Sequence, residues 1–525
     1  MQDKKDNLTK NVSKISSGTF LSRISGLFRD IVLTHFLGTT WIADSFSVAF
    51  VIPNMLRGLF GEGALAASFI PLYTEIKEKQ SKAQAIQFAV NLFSILVIVL
   101  IIFVGIGIVL APLIVKIIAP GFELQAKMLT AKLTQILFPY LFLIGLTSVI
   151  IAILNAHSVF FLPSLSPMML NFGIIIPVIV YALVTESSIT DKAYVFALGV
   201  LLGGVCQLIA NYSLIRKIGY RAKFYINLKQ KELKTVWKRM IPCIVGLGIR
   251  EVNVVVDTIL ASLLITGSVA ALQYGNRLMQ LPLGVFGIAI GVAVLPLFSK
   301  HTAYNNISEL KKSIQDAFDL ILIIMLPIIA LILVMGKDMI SFIYLHGAFD
   351  ETALNMTFYA LAFYSIGLIS HSLVRVFASA FFALKDTKTP VKISIIAVIC
   401  NIILNVILMQ FLQLRGLALA TSIAATIQAT ILFFTLEKKI GQVDFKQLFV
   451  NFLKIALISV IIGFVDYYLV HLRISIGMAG RLYLLIKIVI ILIISFIIYL
   501  IGLKVLKVES ARKILDSFIG RFVKD

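Results

Sequence analysis

The chain has 525 residues, of which 59% are hydrophobic and only 14% charged, and its formal net charge is +21. A soluble globular domain is about a quarter charged, so the composition excludes a soluble globule and indicates an all-α polytopic membrane protein. Two explanations of the positive excess compete, cytoplasmic loops that follow the positive-inside rule, which explain most of it, and a cavity that binds an anion. It forms no single soluble basic domain, which argues against nucleic acid as a partner.

The N-terminus, MQDKKDNLTKNVSK, is basic and polar. No short apolar core with a small-residue cleavage site follows it, so no cleaved signal peptide is expected, and the first span itself directs insertion. An apolar run of about 20 residues crosses a bilayer, and about fourteen such runs follow. Their centres lie near Gly26, Leu56, Ile101, Leu141, Ile175, Leu202, Asn253, Gly287, Ile323, Gly367, Ile399, Ala425, Ile458 and Ile491. The first two and the eighth are long and interrupted by Pro or Gly, a pattern that predicts helices broken or bent around a cavity.

The first two spans, Thr19 to Glu75, carry Arg23, Arg29, Asp30, Asp44, Arg57 and Glu62. Ionised groups in a membrane normally face a protein interior or a water-filled cavity. Arg23 and Asp30 are seven positions apart, two helical turns, and share a face; Arg29 is turned away by roughly a third of a revolution. Arg57 follows Pro53 in IPNMLRGLFGEGA, and Arg277 lies beside Pro and Gly in YGNRLMQLPLGVFGIAIG. Arginine stays charged when buried and presents a planar fork of donors suited to phosphate. Several inward arginines make a diphosphate clamp. The alternative is that Arg23, Asp30, Asp44 and Glu62 pair with one another and hold helices together.

Lysines and arginines recur after every second span, at Lys77, Lys79 and Lys82, then most densely from Arg216 to Arg239, and on to the C-terminal tail. With an even number of spans, both termini face the cytoplasm. The Arg216–Arg239 connection reads as a solvated linker with an amphipathic helix at the lipid headgroups. Trp41 and Trp237 sit near span ends, where aromatic belts belong. A shift of 227 positions lays Arg23 on Arg250, Asp30 on Asp257, Ala156 on Ala383 and Pro163 on Pro390. That suggests two parallel six-span repeats with a substrate site between them, and two spans outside the duplication.

In the second repeat, Asp257 sits in span seven, Asn401 and Asn405 share a face of span eleven, and Thr421 follows Leu417 by one turn in span twelve. A carboxylate, two amides, a hydroxyl and the Leu417 carbonyl form an all-oxygen set suited to Na⁺. Hydrogen bonding between helices is the other reading. Cys206, Cys243 and Cys400 and the six histidines are scattered, without disulfide or metal spacing. There is no nucleophile elbow, P-loop or paired metal-ligand motif. The chain is therefore not expected to be an enzyme, and uphill movement would draw on an ion gradient or the membrane potential.

SRISGLFRD, AFVIPNMLRGLFGEGALAASFIPLYTE, NRLMQLPLGVFGIAIGVAVLPLFSK and FFALKDTKTPVK resemble the MviN (MurJ) family of lipid II flippases. That family lies in the multidrug/oligosaccharidyl-lipid/polysaccharide exporter superfamily. The resemblance runs from about Asn11 to the end of span twelve, and the span count extends it to the C-terminus. It implies two six-helix lobes in a V that alternate access, 1–222 and 223–440, and a third segment, 441–525, whose last two spans form a groove for the undecaprenyl tail. It implies cavity arginines at Arg23, Arg29, Arg57 and Arg277, cavity acids at Asp30, Asp44 and Glu62, and a sodium site at Asp257, Asn401, Asn405, Leu417 and Thr421. The implied partners are lipid II, the undecaprenyl-diphosphate-linked disaccharide pentapeptide, and membrane lipids. The implied form is a monomer in the bacterial cytoplasmic (inner) membrane, with no cofactor apart from Na⁺ as a candidate. The chain has Asn405 where one family pattern has Asp, and Asn276 and Gln280 where some members place acids beside the span-eight arginine. A sodium-coupled polysaccharide-lipid or multidrug exporter of the same superfamily is the alternative, although an exporter of cationic drugs would want an acidic cavity.

Overall fold

The computed structural model describes residues 2–58, 65–220, 223–472, 480–506 and 508, and all the regular structure among them is helical. The helices are α1 (Gln2–Leu37), α2 (Trp41–Arg57), α3 (Leu65–Lys79), α4 (Lys82–Ile118), α5 (Leu124–Ala156), α6 (Phe161–Ser164), α7 (Ser166–Val184), α8 (Ile189–Lys217), α9 (Lys231–Ser262) and α10 (Ser268–Pro282). A π turn (Leu283–Gly287) leads to α11 (Ile288–Ala303), α12 (Ile307–Tyr344), α13 (Glu351–Ser365), α14 (Leu368–Ala383), α15 (Lys388–Leu412), α16 (Leu414–Ile440), α17 (Phe445–His471) and α18 (Arg481–Val505). Among the described residues, ten helical stretches are long and apolar enough to cross a membrane, and an eleventh is α13–α14, bent by 41°. Backbone groups have no water to bond in hydrocarbon, so helices that satisfy them internally are the expected solution. The chain is a multi-pass membrane protein.

It divides into two compact units, Met1–Ala270 with His346–Phe349, and Ala271–Leu345 with Asp350–Asp525. In the first, α5 packs against α2, α3, α4 and α8, and α9 lies on α3 and α4. Between membrane helices, close packing replaces the hydrophobic effect, so small residues mark the tightest seams. Gly199 and Gly203 of α8 meet Gly173 of α7 in this way. A Cβ on Gly173 would stand 2.3 Å from the Gly203 Cα, and one on Gly203 would stand 2.7 Å from the Leu170 Cα. In the second unit, α14 packs on α11 and α16, α15 on α16, and α17 on both α12 and α18.

One sequence expectation needs correction. α1 is one continuous helix, not a broken span. A lone glycine keeps its N–H and costs only about 1 kcal/mol in a helix, and Gly18 serves another end, since a Cβ there would lie 1.9 Å from the Ser164 Oγ. The break expected in span eight is present as the π turn after Pro282, where the missing N–H loosens the ladder. In span two, Pro53 lies inside α2, and the GEGA stretch that follows is outside the described residues.

The connection between α8 and α9 is exposed over most of its described residues, and the amphipathic helix expected within Arg216–Arg239 is the first part of α9, where Leu233 and Val236 are buried and Lys231, Lys234 and Lys238 are exposed. The described part of the connection before Lys231 is non-helical and is strapped to α4. Asn227 N–H donates to the Asn91 Oδ1 (2.8 Å), Asn91 Nδ2 donates to the Asn227 carbonyl (2.9 Å), and Tyr225 N–H donates to the Ser94 Oγ (3.1 Å). Non-helical backbone has no ladder of its own, and α4 supplies partners from two buried side chains about one turn apart, Asn91 and Ser94.

Candidate functional site

Arg29 and Asp30 of SRISGLFRD take part in a network between α1 and α7. Arg29 sends Nε and Nη2 to the Asp30 Oδ1 at 3.1 and 2.9 Å, and Nη1 to the Asn171 Oδ1 at 3.1 Å. Asn171 in turn donates from Nδ2 to the Ser25 Oγ at 2.8 Å. The side chains of Arg29 and Asp30 are 17% and 7% exposed. The partner of Asp30 is therefore its neighbour Arg29, not Arg23 on the shared face. Helical spacing places Cα atoms, whereas an arginine stem is long enough to wrap back to the adjacent carboxylate. Arg23 is half-buried two turns earlier, and among the described residues it forms no hydrogen bond or ion pair. Asn171 and Ser25 escaped the sequence reading because a single amide in an apolar run carries no pattern.

Asp44 has a different place. Thr40 caps α2 through its Oγ1, which sets Asp44 in the first turn. Its carboxylate is buried, 3% exposed, and accepts Gly267 N–H at 2.6 Å and Ala270 N–H at 2.8 Å. These are among the orphan donors at the start of α10, so Asp44 caps that helix from α2, with the dipole in its favour. The turn between α1 and α2 is bound in the same region. Ala348 N–H donates to the His35 carbonyl at 2.8 Å, and His35 and His346 share a hydrogen bond between their Nδ1 atoms at 3.0 Å. Gly38 and Gly347 stand at φ +57° and +62°, with backbone oxygens of Ala348 and His35 2.1 and 2.3 Å from where a Cβ would be. Only glycine suits either place.

Arg57 is half-buried, and its Nε donates to the Asn54 Oδ1 at 3.1 Å. Glu251 of α9 brings a carboxylate to Gly58, the next residue, with its Oε1 3.2 Å from the Cβ position there. That acid is far from Arg57 in sequence. Glu62 lies outside the described residues. Arg277 belongs to the second unit, half-buried on α10, where Gln280 Nε2 donates to the Asn276 Oδ1 at 2.5 Å.

Four of the five residues of the expected ion set form a chain between α15 and α16. Asn405 Nδ2 donates to the Asn401 Oδ1 (2.7 Å), Asn401 Nδ2 to the Thr421 Oγ1 (3.4 Å), and Thr421 Oγ1 to the Leu417 carbonyl (3.1 Å). The oxygens suit Na⁺ by type, but in this arrangement those three already accept a neighbour's hydrogen. Asp257, in the first unit, accepts Asn253 Nδ2 at 3.2 Å.

In FFALKDTKTPVK, Asp386 caps α15, accepting Lys388 and Thr389 N–H at 3.2 and 3.0 Å, and it ion-pairs with Lys439 of α16. The Lys439 bond, then those from Thr389, hold its carboxyl well below the usual range. Stability from this group is present at neutral pH and disappears as acid carries the carboxyl down through its lowered folded value. Asp386→Asn is expected to lower the unfolding midpoint at neutral pH and to leave it unchanged in strong acid; equal losses at both would contradict this.

The family model for the lipid II flippase MurJ matches residues 33–502. A probable lipid II flippase MurJ from Buchnera aphidicola subsp. Schizaphis graminum (strain Sg) is 32% identical over 506 residues, which are 96% of this chain and 98% of the relative. The solved structure of a lipid II flippase MurJ in an inward closed conformation matches with a TM-score of 0.78 and 29% identity, over 94% of this chain and 99% of that one. An inward-facing multidrug resistance MATE transporter of the MOP superfamily shares the fold, with a TM-score of 0.65 and 16% identity over 82% of this chain and 98% of its own. With matches of this length, at an identity that similarity of fold alone does not produce, the chain belongs to the lipid II flippase MurJ family.

Proposed function

We propose that the chain flips lipid II, the undecaprenyl-diphosphate-linked disaccharide pentapeptide, from the cytoplasmic to the outer leaflet of the bacterial inner membrane. The observation that carries this reading is the near full-length likeness to proteins of that name, joined to a preorganised arginine network in the motif that first suggested it. Arg29 is held by Asp30 and Asn171, so its fork is oriented before a ligand arrives. Orientation in advance reduces what binding must spend on ordering. Arg23, Arg57 and Arg277 join it as ligands of the diphosphate; Asp44, committed to the start of α10, is left out of the clamp. The chain acts as a carrier and not as a catalyst, alternates access between leaflets, and draws on the membrane potential or an ion gradient. Reconstitution in lipid II vesicles tests the reading directly: headgroups should appear in the opposite leaflet with the parent protein and fail to appear with Arg57→Ala or Arg277→Ala. Unaltered flipping by both variants would sink the clamp.

Fourteen crossings belong to this proposal. α1, the α2–α3 pair and α9 carry the charges that set them apart from the more apolar helices; counting them as crossings puts both termini on one side, and the lysine-rich loops favour the cytoplasmic side. The lobes are then 1–222 and 223–440, with α17 and α18 as the tail groove. Cysteines placed at Lys79 and Lys231 are expected to resist an impermeant thiol reagent in intact cells, and one at Ser188 to react. Labelling at position 231 from outside would overturn the orientation.

A second reading concerns Na⁺. For Asn401, Asn405, Thr421 and the Leu417 carbonyl to coordinate a cation with Asp257, the amide hydrogens of the α15–α16 chain must turn away. A ligand bound by the folded state alone raises its stability by mass action. A higher unfolding midpoint in Na⁺ than in K⁺ at equal ionic strength, abolished by Asp257→Ala, is the expected result. Equal midpoints leave these residues as an interhelical hydrogen-bond chain.

A further inference from the structure

α17 and α18 contain an acid for which the flippase chemistry has no use. Asp466 of α17 is 0% exposed, and Ser495 of α18, its hydrogen-bond partner, is 3% exposed. One helical turn from the pair lie members of two apolar clusters, Ile462 and Tyr499 of one and Ile491 of the other. The second carboxylate oxygen, Oδ2, is buried and has no hydrogen-bond partner among the described residues.

Most of the charged and titratable groups nearest the pair on the helices packed here bond elsewhere, while Asp338 of α12 is half-buried. On α18, Lys487 donates from Nζ to the Val470 carbonyl at 2.5 Å, Arg481 donates to the Leu345 carbonyl at 3.0 Å, and Tyr499 Oη donates to the Ile323 carbonyl at 2.5 Å. On α12, Asp319 accepts Asn451 Nδ2 at 2.8 Å, and Lys337 is exposed. On α17 itself, His471 Nδ1 donates to the Tyr467 carbonyl at 2.7 Å. Among the described residues none of them forms an ion pair with Asp466.

Counting hydrogens bears on the state of the acid, because Ser495 Oγ is within hydrogen-bond distance of both the Asp466 Oδ1 and the Ile491 carbonyl. Ser495 Oγ has one hydrogen, and it lies 2.7 Å from the Ile491 carbonyl, which is only an acceptor. With that hydrogen on Ile491, the contact between Ser495 Oγ and the Asp466 Oδ1 requires a hydrogen from the carboxyl. A charge buried without a cation takes up a proton in preference to staying ionised, and a membrane interior sharpens that preference.

We propose that Asp466 is a proton-binding site, neutral in the folded protein, whose carboxyl O–H donates to Ser495 and ties α17 to α18. The ligand is a single proton. This does not depend on the substrate the protein carries.

Infrared spectroscopy of the purified full-length protein near neutral pH tests it. The difference between parent and Asp466→Asn should show the carbonyl band of a protonated carboxylic acid in the parent alone, shifted on exchange into D₂O. A difference that instead contains only carboxylate stretches overturns the proposal. Ser495→Ala keeps the acid and removes its acceptor, so it serves even if Asp466→Asn fails to fold. Its protonated-acid band should move in frequency, and an unmoved band overturns the assignment.

Discussion

Arg29→Ala is expected to abolish transport and to lower the unfolding midpoint in detergent by the largest margin of any single change in α1. Arg29 makes two hydrogen bonds to the Asp30 Oδ1 and one to Asn171, and both members of the ion pair are largely shielded from solvent. Removing one partner of a buried pair costs about 3–5 kcal/mol, because the other charge stays behind, and the partial exposure of Arg29 places this case near the lower end. Lost stability and lost recognition are separable. The double variant Arg29→Ala with Asp30→Asn removes the stranded carboxylate, so its midpoint should recover most of the loss. Transport should remain absent, because the guanidinium proposed to meet the diphosphate is still gone. Recovery of both would show that Arg29 only neutralises Asp30.

Asp44→Ala is expected to have the second largest effect, through a helix to which Asp44 does not belong. Its two oxygens satisfy Gly267 and Ala270 N–H at 2.6 and 2.8 Å in a buried setting. Without them, two donors at the start of α10 lose their partners, at about 1–3 kcal/mol for each unsatisfied group. Asp44→Asn keeps one oxygen acceptor and gives up the charge, so its unfolding midpoint should fall between those of the parent and Asp44→Ala. A midpoint for Asp44→Ala equal to the parent's would contradict the capping role.

These two residues also show what was legible in the chain. Charge within apolar runs is a local signal, and it pointed to the α1–α2 region before any partner was known. The partners themselves are non-local. Asp44 meets main-chain N–H groups more than two hundred positions away, and a main-chain donor leaves no mark in the sequence. Asn171 reads as one amide in an apolar run until α7 is seen against α1. Asp30 shows the limit of periodicity, since its turn of helix was placed correctly but Arg29 reached back to it from the neighbouring position. The helical class followed from composition, because hydrocarbon leaves few alternatives. The glycines of α1 misled, since a residue that permits a bend also permits close approach, and only packing against Ser164 distinguishes the two.

The central claim is that this chain moves lipid II, and rescue of cells depleted of their own lipid II flippase tests it most directly. Expression of the parent chain at normal membrane levels should restore growth and cell shape, while Arg57→Ala and Arg277→Ala, present at the same level, should not. Lysis of cells that carry the parent chain correctly inserted in the inner membrane would contradict the account.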